Sequence, residues 1–300
     1  MSNFVKIMEV GPRDGLQNEK SFVPTEHKIA FIEGLVQAGM KRIECTAFVS
    51  KRWIPPLADH AELAAALPRH KGVSYAALVP NLQGYEQAKK YNFNEVSLIL
   101  AATQSHNQKN LNASTEEAFE RYKLVIAQAK QDKMPFRAYI SCAFGCPYEG
   151  KTPVSEVLKW SRAFYDLGAY ELSISDTIGV GNPKQTHELV KLLLKEFSVD
   201  RVALHLHDTH SMALANIYAA LELGIRSFDS SAGGIGGCPY APGAAGNVET
   251  ESLVYMLHSM GFKTGVDLEA LRKTSQRLQE YLQTQGSPTI TGHASRSVLR

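Results

Sequence analysis

The sequence predicts an α/β fold, a closed (β/α)₈ barrel with a C-terminal helical extension. Two observations carry that expectation. Strand-like and helix-like segments alternate strictly, eight times over, with short connections, and such alternation implies parallel strands. The first strand also ends in Gly11-Pro12-Arg13-Asp14-Gly15 rather than the glycine-rich phosphate turn of an open doubly wound sheet.

The units follow one another without a break in composition. Val5 to Val10 is a short apolar strand. Ile29, Ile32, Leu35 and Val36 then repeat at helical spacing until Gly39. Arg42 to Phe48 is the second strand, and Leu57 to Leu67 is a helix closed by Pro68. Val73 to Val79 is the third strand, with Pro80-Asn81 opening its helix. Val96 to Ala101 is the fourth. Ser114-Thr115-Glu116-Glu117 then caps a long helix that runs to about Lys133. Phe136 to Phe144, Glu171 to Ser175, Val202 to Leu206 and Ser227 to Ser231 complete the strands. Between them lie helices from Pro153 to Gly168, from Pro183, and from Ser211 to Leu223. Helical pattern resumes over Glu249 to Met260 and Leu268 to Thr284. A single domain is expected over 1–285, with a mobile, Ser/Thr/Gly-rich tail over 286–300. Eight units fit a TIM barrel better than an open sheet.

Composition narrows the function classes. The 300 residues are 44% hydrophobic and 21% charged, with a formal net charge of +2. These are ordinary globular values, with no basic run to suggest nucleic acid. No apolar stretch approaches a membrane span of roughly 20 residues. The N-terminus lacks the features of a signal or transit segment. The cysteines Cys45, Cys142, Cys146 and Cys238 are scattered, which favours a reducing, cytoplasmic setting. Cys142 and Cys146 lack the second pair that a zinc site usually adds, so packing is their expected role.

The chemistry concentrates in His205-Leu206-His207-Asp208. Residues two apart on a strand share a face. His205 and His207 therefore stand side by side and can reach one metal ion. The plain alternative is two core histidines with hydrogen-bond partners. His210 falls past the strand and stays outside the shell. Asp14, directly after the first strand, is the natural carboxylate, and an Asn or water would complete a mixed N/O shell suited to Mg²⁺ or Mn²⁺, with Zn²⁺ as the alternative. Arg13 brings a fixed positive charge, which is costly beside a metal unless an anion binds there. Glu44 and Thr46, Ser141 and Cys142, and Asp176 and Thr177 also lie at strand ends, where barrels place their chemistry. The glycine-rich loop from Gly233 to Asn247, with Cys238 between Gly237 and Pro239, reads as a lid.

Four stretches together carry a resemblance: Gly11 to Glu19, Ser175 to Gly179, His205 to Asp208, and Gly233 to Asn247. Over about Val5 to Gln285 the chain resembles the 3-hydroxy-3-methylglutaryl-CoA lyase family, barrel metallolyases related to isopropylmalate and homocitrate synthases. The resemblance implies a metal shell of Asp14, His205, His207 and Asn247. It implies that Arg13 binds substrate and stabilises the enolate oxygen, and that Cys238 is the catalytic cysteine of a lid containing Gly236 and Gly237. It places Asp176, Glu44 and Glu251 in the active site, with Glu44 and Glu251 open to a supporting role. Two departures are visible: His210 stands where a tyrosine is expected, and no cysteine lies near the C-terminus. The expected partners are an acyl-CoA substrate and a second copy of the chain, in a homodimer, with no nucleic acid and no membrane. A Claisen-type acyltransferase condensing acetyl-CoA with a 2-keto acid is the alternative chemistry.

Overall fold

The computed structural model describes residues 3–19, 21–236 and 246–285. Eight parallel strands close a barrel in chain order. They are β1 (Lys6–Glu9), β2 (Arg42–Ala47), β3 (Ser74–Leu78), β4 (Glu95–Ala101), β5 (Phe136–Ser141), β6 (Glu171–Asp176), β7 (Val202–Leu206) and β8 (Ser227–Ser230). Closure comes from β1 lying beside β8, with Ile7 opposite Phe228 and Glu9 opposite Ser230.

Strand alternation sorts the side chains into two environments. Ile43, Cys45, Ala138, Ile140, Leu172, Ile174, Leu204 and Phe228 face outward into the apolar layer under the helices. Their neighbours Glu44, Arg137, Glu171, Ser173, His205 and Asp229 point into the lumen, where all are buried. The barrel is thus greasy outside and charged inside.

The helices are α1 (Thr25–Gln37), α2 (His60–Ala66), α3 (Leu82–Lys90), α4 (Gln104–Leu111), α5 (Thr115–Gln131), α6 (Val154–Asp166), α7 (Pro183–Leu193), α8 (Ala213–Glu222), α9 (Thr250–Ser259) and α10 (Leu268–Thr284). Helix α5 begins with the expected capping box between Ser114 and Glu117. Such a cap contributes about 1 kcal/mol. The C-terminal helical extension is present as α10, which packs on α1 and α9.

Several boundaries differ from the sequence reading. The helix expected from Leu57 starts at His60, because Pro55–Leu57 forms a separate 3₁₀ turn. Strand β5 stops at Ser141 rather than Phe144, since Cys142 adopts a left-handed backbone with φ of 57°. Helix α4 was not expected at all. Its sequence, Gln-Ser-His-Asn-Gln-Lys-Asn-Leu, is polar and lacks an apolar stripe. Among the described residues, no helix is long and apolar enough to cross a membrane.

Candidate metal centre and active site

The site is built at the C-terminal mouth of the barrel from β1, β2, β5, β7 and the segment after 246. Behind β1 the chain makes one wide turn, Gly11–Gly15. The N–H groups of Arg13, Asp14 and Gly15 all donate to the Val10 carbonyl, at 3.1, 2.7 and 3.2 Å. Pro12 sits at the start of this turn, where its missing N–H is no loss. The turn carries Arg13 and Asp14 over the lumen, 2% and 7% exposed.

Asp14 meets the two histidines there. Its Oδ2 is 3.9 Å from His205 Nε2 and 3.7 Å from His207 Nε2. One ligand atom from each of the three lies within 4.8 Å of the others. Two imidazole nitrogens and a carboxylate oxygen, all buried, form a donor set that a divalent cation can hold. Burial alone would push the Asp14 acid upward, but Arg13 and the imidazoles hold it well below the usual carboxylate range. Asn247 joins the group by donating from Nδ2 to Asp14 Oδ2 at 2.7 Å. Its backbone is fixed by a bridge to His207, continued by Val248 N–H to the Leu206 carbonyl.

Arg13 is braced from two sides. Its Nη1 donates to Asp14 Oδ1 at 2.5 Å and its Nε to Glu44 Oε2. The Tyr139 ring lies 5.5 Å from the guanidinium carbon, and the Tyr139 hydroxyl donates to Glu44 at 3.3 Å. Glu44 Oε1 is buried with no hydrogen-bond partner among the described residues. Glu44 therefore holds Arg13 in place.

Asp176 and Glu251 lie apart from this cluster. Asp176 spends its carboxylate on its own loop, accepting from Val180 and Gly181 N–H at 3.1 and 2.8 Å. Its carbonyl accepts the His207 N–H at 3.2 Å. Glu251, in the first turn of α9, accepts from Gly233 N–H at 2.9 Å and from the Ser275 hydroxyl. It clamps the start of the glycine-rich loop. Burial pushes its acid up to about 7, with Glu249 adding to the rise. Gly236 starts that loop with φ of 96°, and a Cβ there would come within 2.7 Å of Gly15 Cα. Gly236 thus lies backbone to backbone on the Asp14–Gly15 part of the turn, an approach that glycine permits. Gly237 and Cys238 lie outside the described residues.

Three polar residues at the site were not singled out from the sequence: Arg137, Tyr139 and Asp229. Each interrupts an apolar strand on the lumen face. That parity, shared with Glu44 and His205, is the signal that could have found them.

The cavity above the cluster has a volume of about 600 Å³. Its lining includes Arg13, Asp14, His205 and His207 together with Trp53, His106, Lys109 and Arg121. A small diacid alone would leave most of it empty, so its size suits a larger ligand, and Lys109 and Arg121 in its lining suit one that carries negative charge.

Comparison with known proteins gives one consistent result. A family model described as HMGL-like matches residues 4–278. The 3-hydroxy-3-methylglutaryl-CoA lyase, cytoplasmic, of Rattus norvegicus is 49% identical over 268 residues, which is 89% of this chain and 78% of the rat protein. The crystal structure of the Bacillus subtilis HMG-CoA lyase superposes with a TM-score of 0.94 at 45% identity, covering 98% of both chains. An HMG-CoA lyase from Acinetobacter baumannii, solved in complex with coenzyme A and 3-methylmalate, gives a TM-score of 0.93 at 39% identity. It covers 100% of this chain and 98% of that one.

Proposed function

The chain belongs to the HMGL-like family, and from that premise we propose that it is a hydroxymethylglutaryl-CoA lyase. It cleaves 3-hydroxy-3-methylglutaryl-CoA to acetyl-CoA and acetoacetate. The observation that carries the reading is Arg13, a fixed cation held by Glu44 and Asp14 beside the Asp14–His205–His207 cluster.

Breaking the C2–C3 bond of this thioester makes three demands. The C3 hydroxyl must lose a proton, C2 must accept the bonding pair as an enolate, and that enolate must be protonated. Asp14, His205, His207 and Asn247 would hold a divalent cation, Mg²⁺ or Mn²⁺, which would supply Lewis acidity to acidify and orient the hydroxyl. The histidines serve as ligands, since a coordinating nitrogen cannot also take a proton. Asp176 or a water held by the cation would accept the C3 proton; burial raises the Asp176 acid, which helps it take up a proton, and the Val180 and Gly181 N–H groups oppose that rise. Arg13 faces the thioester oxygen, where charge develops. Its two carboxylate braces hold it in place before the reaction begins, so little reorganisation is needed. Cys238 is the proposed proton donor to C2, delivered by closure of the loop that Glu251 anchors. The cavity would receive the CoA moiety, and Lys109 and Arg121 in its lining are the cations that would match its phosphates. The condensing alternative is not favoured, because lyases are the relatives over most of the chain.

Chelation tests this reading. Turnover of 3-hydroxy-3-methylglutaryl-CoA should vanish in excess chelator and return on adding Mg²⁺ or Mn²⁺. Undiminished turnover by metal-free protein contradicts it.

A further inference from the structure

Asp229 lies on β8, directly across from His205 in the register of β7 and β8. Its Oδ2 is 3.2 Å from His205 Nδ1. The same carboxylate takes three more hydrogen bonds. Arg137 donates from Nη2 to Oδ1 at 2.5 Å and from Nη1 to Oδ2 at 2.9 Å, and the Ser173 hydroxyl donates to Oδ2 at 3.1 Å. Arg137 is held in turn by Glu171 at 2.7 Å and by the Tyr139 hydroxyl at 2.9 Å. Arg137, Asp229 and Ser173 are sealed from solvent, at 1% exposure or less.

We propose that Asp229, fixed by Arg137, is a positioning residue that sets the tautomer and orientation of His205. The inference rests on the reading of His205 as a metal ligand. A neutral imidazole carries one N–H, and the nitrogen bearing it cannot ligate. An ionised carboxylate only accepts. With Asp229 at Nδ1, the proton stays there and the lone pair falls on Nε2, the nitrogen that faces Asp14. The other contacts to this carboxylate are all donors, two from the Arg137 guanidinium and one from the Ser173 hydroxyl, so Asp229 accepts at Nδ1. The two-pronged Arg137 contact also fixes the plane of the carboxylate. A flipped His205 ring would lose the Asp229 bond and turn Nδ1 away from its acceptor. Carboxylates behind ligating histidines tune metal affinity by roughly 10–100-fold.

The test is Mn²⁺ binding, read from the electron paramagnetic resonance signal of the free ion, with no need for turnover. Asp229→Asn keeps the shape but can present an amide NH₂ to Nδ1. It should weaken Mn²⁺ binding by about 10–100-fold. If Asp229 acts through His205, the same change made in a His205→Ala background should weaken Mn²⁺ binding by less than about twofold. Long-range ¹⁵N spectra of the wild type should show His205 protonated at Nδ1 alone, and Asp229→Asn should lose that signature. If Asp229→Asn fails to fold, Arg137→Gln/Asp229→Asn removes both charges together and takes its place in every measurement. Wild-type Mn²⁺ affinity in either folded variant overturns the proposal, as do losses that multiply in the His205→Ala background. A wild type that binds Mn²⁺ tightly but does not cleave 3-hydroxy-3-methylglutaryl-CoA contradicts the lyase reading instead.

Discussion

At the scale of single residues, two side chains carry the most informative expectations. Arg13→Met removes the cation facing the thioester oxygen. Loss of one such donor in a dry site costs about 10²–10³-fold in turnover. Arg13 also touches Asp14 at 2.5 Å, so a small change in metal affinity is expected, within about tenfold. Turnover near wild type would remove Arg13 from the chemistry. Glu9 is the second. Its Oε1 accepts from Gly11 and Ala232 N–H, at 2.8 and 2.9 Å, and its Oε2 lies 2.8 Å from the Thr250 hydroxyl. It ties together the turn that carries Arg13, the start of the glycine-rich loop and the start of α9. Burial raises its acid from 4.5 to about 8, and Glu251 adds to the rise. The folded protein therefore binds more protons than the unfolded chain between pH 4.5 and about 8. The stability that Glu9 contributes is complete below that window and lost as pH rises through it. A protonated Glu9 donates to Thr250, whose hydroxyl passes on to Ser230 at 2.8 Å. Glutamine reproduces that pattern. Glu9→Gln should match the wild type in melting temperature near pH 5 and exceed it by about 3 °C or more near pH 9. A variant less stable at both pH values would show that the carboxylate is ionised.

At the scale of elements, the glycine-rich loop joins fold to function. Gly236 lies on Gly15, and Glu251 holds Gly233, so the loop base is fixed while its middle carries Cys238. A thiol passes a proton at neutral pH far more readily than a serine hydroxyl. Cys238→Ser should bind Mn²⁺ normally and turn over about 10²–10⁴ times more slowly. Rates near wild type would make Cys238 a packing residue. The elements also show what was legible in the sequence. The histidine pair stood out because a period of two places both rings on one face at a strand's end. The long α5 was visible from its capping box. Helix α4 was not, because without an apolar stripe it is held by tertiary contacts. One is the buried Asn107, whose side chain bonds Ala101, Thr103 and Thr115. The wide Gly11–Gly15 turn read only as a break, since its shape comes from three N–H groups sharing one carbonyl, which no local pattern encodes.

At the scale of the whole molecule, the barrel closes a charged circuit around its lumen. Arg13 bonds Glu44, Glu44 meets Tyr139, Tyr139 meets Arg137, and Arg137 bonds Asp229, which backs His205. Removing one partner of such a buried pair costs about 3–5 kcal/mol. The circuit therefore keeps the charges mutually satisfied as well as aiming the site. This is the part least visible in sequence, because its members come from β1, β2, β5, β7 and β8 and meet only after closure. The central claim is that this lumen runs carbon–carbon cleavage of an acyl-CoA. The most direct measurement is product stoichiometry from purified protein, 3-hydroxy-3-methylglutaryl-CoA and Mg²⁺ or Mn²⁺. The account predicts acetyl-CoA and acetoacetate in equal amounts, with no free CoA. Intact substrate in that mixture, with free CoA released in a separate mixture of the protein, acetyl-CoA and a 2-keto acid, would contradict it.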